Sequence, residues 1–472
     1  MGWRRRLGLA VAAVLLVAGL GAIRAPAAGA ATTRPNIILI LTDDQRWDSL
    51  WAQPNVQTLL IGHGTNFRQA FDENPLCCPS RATILTGKYS HTHQIWGNGG
   101  GFTKFVKTGL DKSTVATWLK AAGYRTGMFG KYLNGYCQAN ASYIPPGWTR
   151  WLAFDGPVGD CGQGGYYGFT VSDNGVHKTL STSTYSTDYL ATQAANFIRS
   201  TSATQPVFVY LSTKAPHAPY TPPNRYATSF STLAPYLPAS FNEADVSDKP
   251  AWVRAIPSWT STEIANKQRS IKNIYRTLLG VDDGVHKVVD AMQDTGRLSN
   301  TLVIYLGDNG EQWGEHRLGG KNDPYLEGNH VPLVIRYDRM GSTPRVDTTH
   351  IVLNVDIAQT IAAAAGVTAP GAEGQNLLPL VAGQTPTWRQ DALSEHIASA
   401  GGLSPTYCEV HSLAWAYTQY ATGEEELYNL AADPLELQNR AGDPALAATL
   451  AAQRARLHEL CQPPPPGFTF TH

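Results

Sequence analysis

The 472-residue sequence predicts an α/β layered fold with a mostly parallel central sheet, followed by a smaller α+β domain. Three observations predict it. Apolar runs of strand length recur, each ending in a cluster of polar residues. Segments with helical periodicity stand between them. Beyond about residue 382 this alternation fades and shorter strand-like pieces follow. Strands alternating with helices build a parallel sheet covered on both faces.

Residues 1–30 are expected to stand outside the fold. Arg4, Arg5 and Arg6 make a charged start, Leu7 to Ile23 is an apolar run, and Ala28-Gly29-Ala30 offers small residues for cleavage before Ala31. That is the pattern of a secretory signal peptide; the alternatives are a retained anchor, for which the run is short, and a twin-arginine signal. No later stretch is long and apolar enough for a stable membrane anchor. The catalytic domain is expected over 31–382 and the smaller domain over 383–472.

The first strand, Asn36 to Leu41, runs into Thr42-Asp43-Asp44. Arg125 to Phe129 runs into Gly130-Lys131, Val207 to Leu211 leads to Lys214 and His217, and Leu302 to Leu306 ends at Gly307-Asp308-Asn309. Helices are predicted at Thr114–Ala122 behind a Ser113 cap, at Tyr189–Ser200 and at Ile271–Met292. Parallel sheets bind ligands beyond the carboxyl ends of their strands, so four such polar ends imply one polar site. The Gly-rich stretch near 156–168 and the Pro-containing segment near 215–258 read as loops that line a cleft.

Lys plus Arg and Asp plus Glu balance at 37 each, which argues against a general polyanion or nucleic-acid binder. Six cysteines stand at 77, 78, 137, 161, 408 and 461. In an exported chain the last four allow three pairings; the sequence-local ones, Cys137 with Cys161 and Cys408 with Cys461, are favoured. Cys77 and Cys78 are adjacent and poorly placed to bridge each other.

Their context is Cys77-Cys78-Pro79-Ser80-Arg81-Ala82-Thr83-Ile84-Leu85-Thr86-Gly87. Pro79 suits a first helical turn and Gly87 a helix stop, which sets Cys77 just before a helix N-terminus. Free N–H groups there favour an anion, and Arg81 adds a permanent cation. An isolated cysteine would read as a reactive or merely buried thiol. This segment, however, resembles the signature that formylglycine-generating machinery reads in type I sulfatases. Leu41-Thr42-Asp43-Asp44 and Gly307-Asp308-Asn309-Gly310 resemble the two metal motifs of that family. Pro216-His217-Ala218-Pro219 and Gly320-Lys321 resemble its sulfate-contacting motifs, and Glu426-Leu427-Tyr428-Asn429-Leu430 with Asp433-Pro434 its closing motif.

The resemblance implies an alkaline-phosphatase-like fold and a sulfatase in which Cys77 is converted to formylglycine by a partner enzyme before export. Asp43, Asp44, Asp308 and Asn309, with residue 77 itself, would hold a divalent cation; an all-oxygen set favours Ca2+, with Mg2+ the alternative. A hydrated formylglycine offers one hydroxyl to attack sulfur and a second to expel sulfate afterwards. By resemblance Lys131 and Lys321 clamp the sulfate, and His217 is the candidate general acid. His91, His93 and His316 are each as readily structural as functional.

One motif departs from the family: Gly130-Lys131-Tyr132-Leu133-Asn134 lacks the His that many members carry two residues after the Lys, at Leu133 here. The same run, the doubled Cys and Ser142-Tyr143-Ile144-Pro145-Pro146-Gly147-Trp148 resemble the N-acetylglucosamine-6-sulfatase and heparan endosulfatase branch, which points to a sulfated amino sugar or another glycan sulfate ester. The rival readings are a phosphate or phosphonate monoester hydrolase and a non-catalytic glycan-binding relative.

Overall fold

The computed structural model describes residues 1–2, 34–137, 140–156, 161–399 and 401–471. Apart from its first two residues, the expected export segment lies outside the described residues, as does its cleavage point. Among the described residues no helix is long and apolar enough to cross a membrane. Residues Pro35–His472 form one compact unit.

Its centre is a ten-stranded sheet. Five parallel strands fill the middle: β1 (Asn36–Asp43), β2 (Arg125–Gly130), β3 (Arg150–Phe154), β4 (Val207–Pro216) and β5 (Thr301–Gly307), side by side in the order β5-β1-β4-β2-β3. Every residue of β1 is buried. Successive side chains point to opposite faces, so Ile37, Leu39 and Leu41 enter one core while Ile38 and Ile40 enter another. This explains the uninterrupted NIILIL run: a strand covered on both faces cannot alternate apolar with polar.

On the first face lie the helices α1 (Cys77–Thr86), α2 (Val115–Ala121) and α3 (Asp356–Ala365); on the second, α4 (Ser186–Arg199) packs against α5 (Ser261–Asp294). Shorter antiparallel strands extend both edges of the sheet. The smaller C-terminal part is an antiparallel four-stranded sheet of β6 (Asp391–His396), β7 (Tyr407–Ser412), β8 (Trp415–Tyr420) and β9 (Glu425–Asn429), with α6 (Ala447–Leu460) against its middle strands. The two disulfides are Cys137–Cys161 and Cys408–Cys461, and Cys77 and Cys78 are free.

Helix ends differ from the sequence expectation where local chemistry outranks apolar periodicity. Thr114, not Ser113, caps α2: the Thr114 amide donates to Thr117 Oγ1 at 2.9 Å, and Ser113 Oγ instead accepts from Trp118 Nε1. Helix α5 starts ten residues before Ile271 because Thr260 and Glu263 form a reciprocal cap. Its first turns are largely exposed, so no apolar stripe announces them.

Candidate active site

The carboxyl ends of the parallel strands converge. β1 ends at Asp43, with Asp44 next to it; β2 delivers Lys131, β4 delivers His217, and β5 delivers Asp308 and Asn309. Cys77 is the first residue of α1 rather than the residue before it, with Leu76 as an extended N-cap. All ten residues of α1 are buried, and Gly87 closes it at φ 71°, its N–H donating to Thr83 O at 2.7 Å. A Cβ on Gly87 would come within 2.7 Å of Ala372 Cβ, so this stop requires glycine for room as well as conformation.

At the head of α1 the Cys77 thiol lies 3.3 Å from Asp43 Oδ1 and 3.9 Å from Asp44 Oδ1, and accepts from Lys321 Nζ at 2.9 Å. Lys131 Nζ donates to both Asp43 oxygens at 2.7 and 2.9 Å, and Lys321 pairs with Asp44. Arg81 reaches Asp308 Oδ2 at 2.7 Å through Nε, and the Lys131 carbonyl and Ser212 Oγ through Nη1. It thereby ties α1 to the ends of three strands. Gly130 permits this closeness: any Cβ there would sit 1.8 Å from the Ser212 carbonyl oxygen. Asp308 Oδ1 accepts from the amides of Asp44 and Asn309 at 3.0 and 2.9 Å. Asp44 itself adopts φ 65°, an unusual conformation for a non-glycine residue, held by these contacts.

Three carboxylates, Asp43, Asp44 and Asp308, thus face three permanent cations, Arg81, Lys131 and Lys321. Burial opposes ionisation of Asp43, but Lys131, His217, Arg81 and Lys321 outweigh it and hold its pKa well below the usual carboxylate range. Asp44 is lowered in the same way, chiefly by Lys321 against its burial. At Asp308 burial prevails over Arg81 and the shift is upward. Burial pushes the Cys77 thiol up to about 12, so an unmodified thiol stays protonated and is a weak nucleophile.

The donor set suits a hard cation. Asp43, Asp44, Cys77 and His217 each bring a ligand atom within 4.8 Å of the others. Asn309 donates through Nδ2 to Asp44 Oδ1 at 2.8 Å, which leaves its buried Oδ1 with no hydrogen-bond partner among the described residues. An orphaned carbonyl oxygen beside carboxylates is what an oxygen-seeking divalent ion would engage. His217 Nδ1 donates to the Ala218 carbonyl at 2.8 Å, and its Nε2 faces Asp44 Oδ2 at 3.6 Å. That fixes the tautomer and turns Nε2 toward the cluster.

All the residues singled out in the sequence therefore meet here, except the three uncertain histidines and Leu133. His91 binds Glu395, His93 binds Thr83 inside the core, and His316 binds Glu243. Leu133 is buried in the apolar core, and the contact to residue 77 comes from Lys321. Sequence reasoning missed Ser212, which anchors Arg81, and Asn98, whose Oδ1 accepts from the Cys78 amide at 2.9 Å. Neither carries a local signal. Both predicted loops do line the adjoining cavity of about 700 Å3, through Gln163 to Tyr167 and His217 to Pro219, together with Asn98 and Lys214.

Residues 35–367 match the family model "Sulfatase". The chain belongs to the sulfatase family. It is therefore a sulfuric ester hydrolase, of a family that works through formylglycine and a divalent cation. Residues 314–462 also match the model "N-sulphoglucosamine sulphohydrolase, C-terminal". This sulfatase is 32% identical to human N-acetylglucosamine-6-sulfatase, over 91% of this chain and 84% of that one. It is 33% identical to an extracellular sulfatase homolog of Drosophila melanogaster, over 79% of this chain but only 34% of that longer protein. Among solved structures, one in complex with its substrate D-glucosamine-2-N,6-O-disulfate aligns at TM-score 0.79 and 24% identity, over 90% of this chain and 97% of that one. The phosphonate monoester hydrolase of Agrobacterium radiobacter aligns at 0.70 and 22% identity, over 90% and 95%. The fold is thus the alkaline-phosphatase-like one, and fold alone does not select between the two ester classes.

Proposed function

We propose that this sulfatase removes sulfate from a sulfated amino sugar, using Cys77 converted to formylglycine and a Ca2+ held by Asp43, Asp44, Asp308 and Asn309. The observation that carries the reading is the setting of residue 77: a buried side chain at a helix head, between two carboxylates and a lysine ammonium. In the described geometry Cys77 Sγ stands in for a formylglycine oxygen. When present, the cation and the hydrated aldehyde supply an activated hydroxyl for attack on sulfur and a second hydroxyl whose deprotonation releases sulfate. Arg81 positions Asp308 and backs the head of α1. Lys131 and Lys321 neutralise the sulfate oxygens, and His217, as the imidazolium that keeps its Nδ1–H on the Ala218 carbonyl, passes its Nε2 proton to the departing alcohol. Three acids against three bases leave the site formally neutral, so a divalent cation makes it net positive toward an anionic ester.

The amino-sugar assignment is supported by the relatives named above and by the polar cavity lined by Asn98, Gln163, Lys214 and His217. The reading also takes residues 1–30 as a cleaved export signal and a formylglycine-generating enzyme as the partner that acts before export. Peptide mass spectrometry of active protein tests the nucleophile: conversion of Cys77 lightens its peptide by about 18 Da. An unmodified thiol in fully active enzyme would overturn the mechanism. Turnover of N-acetylglucosamine-6-sulfate beside aryl sulfate, aryl phosphate and a phosphonate monoester tests the substrate, and preference for either phosphorus ester would overturn that part.

A further inference from the structure

A second buried cluster lies outside the catalytic one, between the main sheet's loops and the C-terminal part. His316, Glu327 and Glu436 each bring a potential ligand atom within 4.8 Å of the others, and all three are buried. The imidazole is held on both sides: Tyr325 stacks on it with centroids 4.2 Å apart, and Nδ1 donates to Glu243 Oε2 at 2.7 Å. Nε2 then carries the bare lone pair, and it is buried with no hydrogen-bond partner among the described residues. A histidine whose far nitrogen is tied to a carboxylate while the near one is free has the arrangement of a metal ligand with its outer support.

Charge points the same way. Ionised, Glu243, Glu327 and Glu436 bring three negative charges. Lys249 brings one positive: it donates to Tyr428 Oη at 3.1 Å and to the Glu436 carbonyl, 3.9 Å from Glu243. Arg46 is taken by Asp48 and Glu315. A divalent cation offsets negative charge that Lys249 alone leaves unbalanced. His316 and Glu436 also sit at φ 51° and 53°, conformations that non-glycine residues adopt only when their surroundings hold them. A cavity of about 520 Å3, lined by Glu327, His330, His411, Pro434 and Leu435, offers a way in.

We propose that His316 Nε2 and the carboxylates of Glu327 and Glu436 form a second, structural site for a divalent transition cation of the Zn2+ class. Imidazole with carboxylates favours Zn2+ or Mn2+ over the hard Ca2+ of an all-oxygen site. Bonds of about 2.0–2.2 Å require the three atoms to draw to roughly 3.3 Å apart, a movement within the rotations of two glutamate side chains. Because His316 and Glu327 flank Lys321 in sequence, the ion staples the segment bearing that lysine to the C-terminal part. The site is independent of the substrate reading.

Crystals of the full-length wild-type protein grown with Zn2+ and measured at the zinc absorption edge test it directly. An anomalous peak between His316, Glu327 and Glu436 is expected; no peak there overturns the proposal. In solution, Asp43→Asn protein, its catalytic cluster disabled, is expected to bind one equivalent of Zn2+ by calorimetry. Adding Glu327→Gln or Glu436→Gln should weaken binding at least about 100-fold, and Glu243→Gln about 10–100-fold. Unchanged Zn2+ affinity in all three folded variants overturns it, and if a variant fails to fold, the wild-type crystals decide. Mn2+ in place of Zn2+ separates the two ions by relative affinity.

Discussion

Two of the buried acidic clusters among the described residues use their carboxylates in different ways. At the strand ends, each of Asp43, Asp44 and Asp308 has a lysine or arginine against it. At the C-terminal seam, Glu327, Glu409, Glu426 and Glu436 share few cations, and burial drives all four upward in pKa. Glu426 accepts instead from the hydroxyls of Tyr325, Tyr420 and Tyr428. Where fixed cations outweigh burial, as at Asp43 and Asp44, a buried acid is held in its ionised form and can serve an anionic reaction; surrounded by hydroxyls, as at Glu426, it serves packing.

The largest effects are expected at the strand ends. Asp43→Ala or Asp308→Ala should cut turnover by roughly 1,000-fold or more, because each strips a charge from the site that holds cation and nucleophile. Chelation should do the same reversibly, with Ca2+ or Mg2+ restoring activity. Full turnover by metal-free protein would contradict the assignment. Cys77→Ala should be equally inactive yet folded by circular dichroism, while Cys78→Ala should keep most of its activity. Equal loss in both would mean that the helix head, not the nucleophile, had been damaged.

Next in size come the disulfides, which separate the two parts by stability rather than rate. The Cys408–Cys461 link spans 53 residues and Cys137–Cys161 spans 24. On the chain-entropy model they contribute about 4 and about 3.5 kcal/mol respectively. Paired Cys→Ala variants in denaturant titrations measure this, and no loss from the 408–461 pair would show that α6 is held to its sheet by packing alone.

The smallest effect concerns Glu73, a third kind of buried acid, which receives hydrogen bonds from Thr83 and Ser90 and faces Glu395 and His91. Burial and Glu395 raise its pKa from 4.5 to about 8. The folded state therefore holds a proton that the unfolded chain releases, so this contribution is complete below about pH 4.5 and fades as pH rises toward 8. Glu73→Gln should flatten thermal stability across that window; an unchanged slope would place the titration on another group.

The strand cores and the polar residues after them were legible because a doubly covered strand must be apolar throughout, and its end is where side chains are released to a ligand. The start of α5 was not, since Thr260 and Glu263 act through a cap while the following turns bury little. Lys321 was found only by resemblance to a motif, because nothing in Gly320-Lys321 itself points to Cys77. Ser212 was invisible: its role exists only because Arg81 crosses from α1 to β4.

What this sequence determined by itself is the chemistry: the residue types, the order of strands and helices, and the position at which a cysteine meets a helix head. These follow from local rules, since side-chain period, turn residues and charge are properties of neighbours in the chain. Tertiary structure alone decided which charges would meet. Asp43 and Asp308 lie far apart in the chain yet on adjacent strands, and His316, read only as an uncertain histidine, turned to Glu243, Glu327 and Glu436 instead of Cys77. Parallel pairing brings distant segments together without any mark in either one, because the hydrogen bonds that align them come from the backbone, which is the same at every residue.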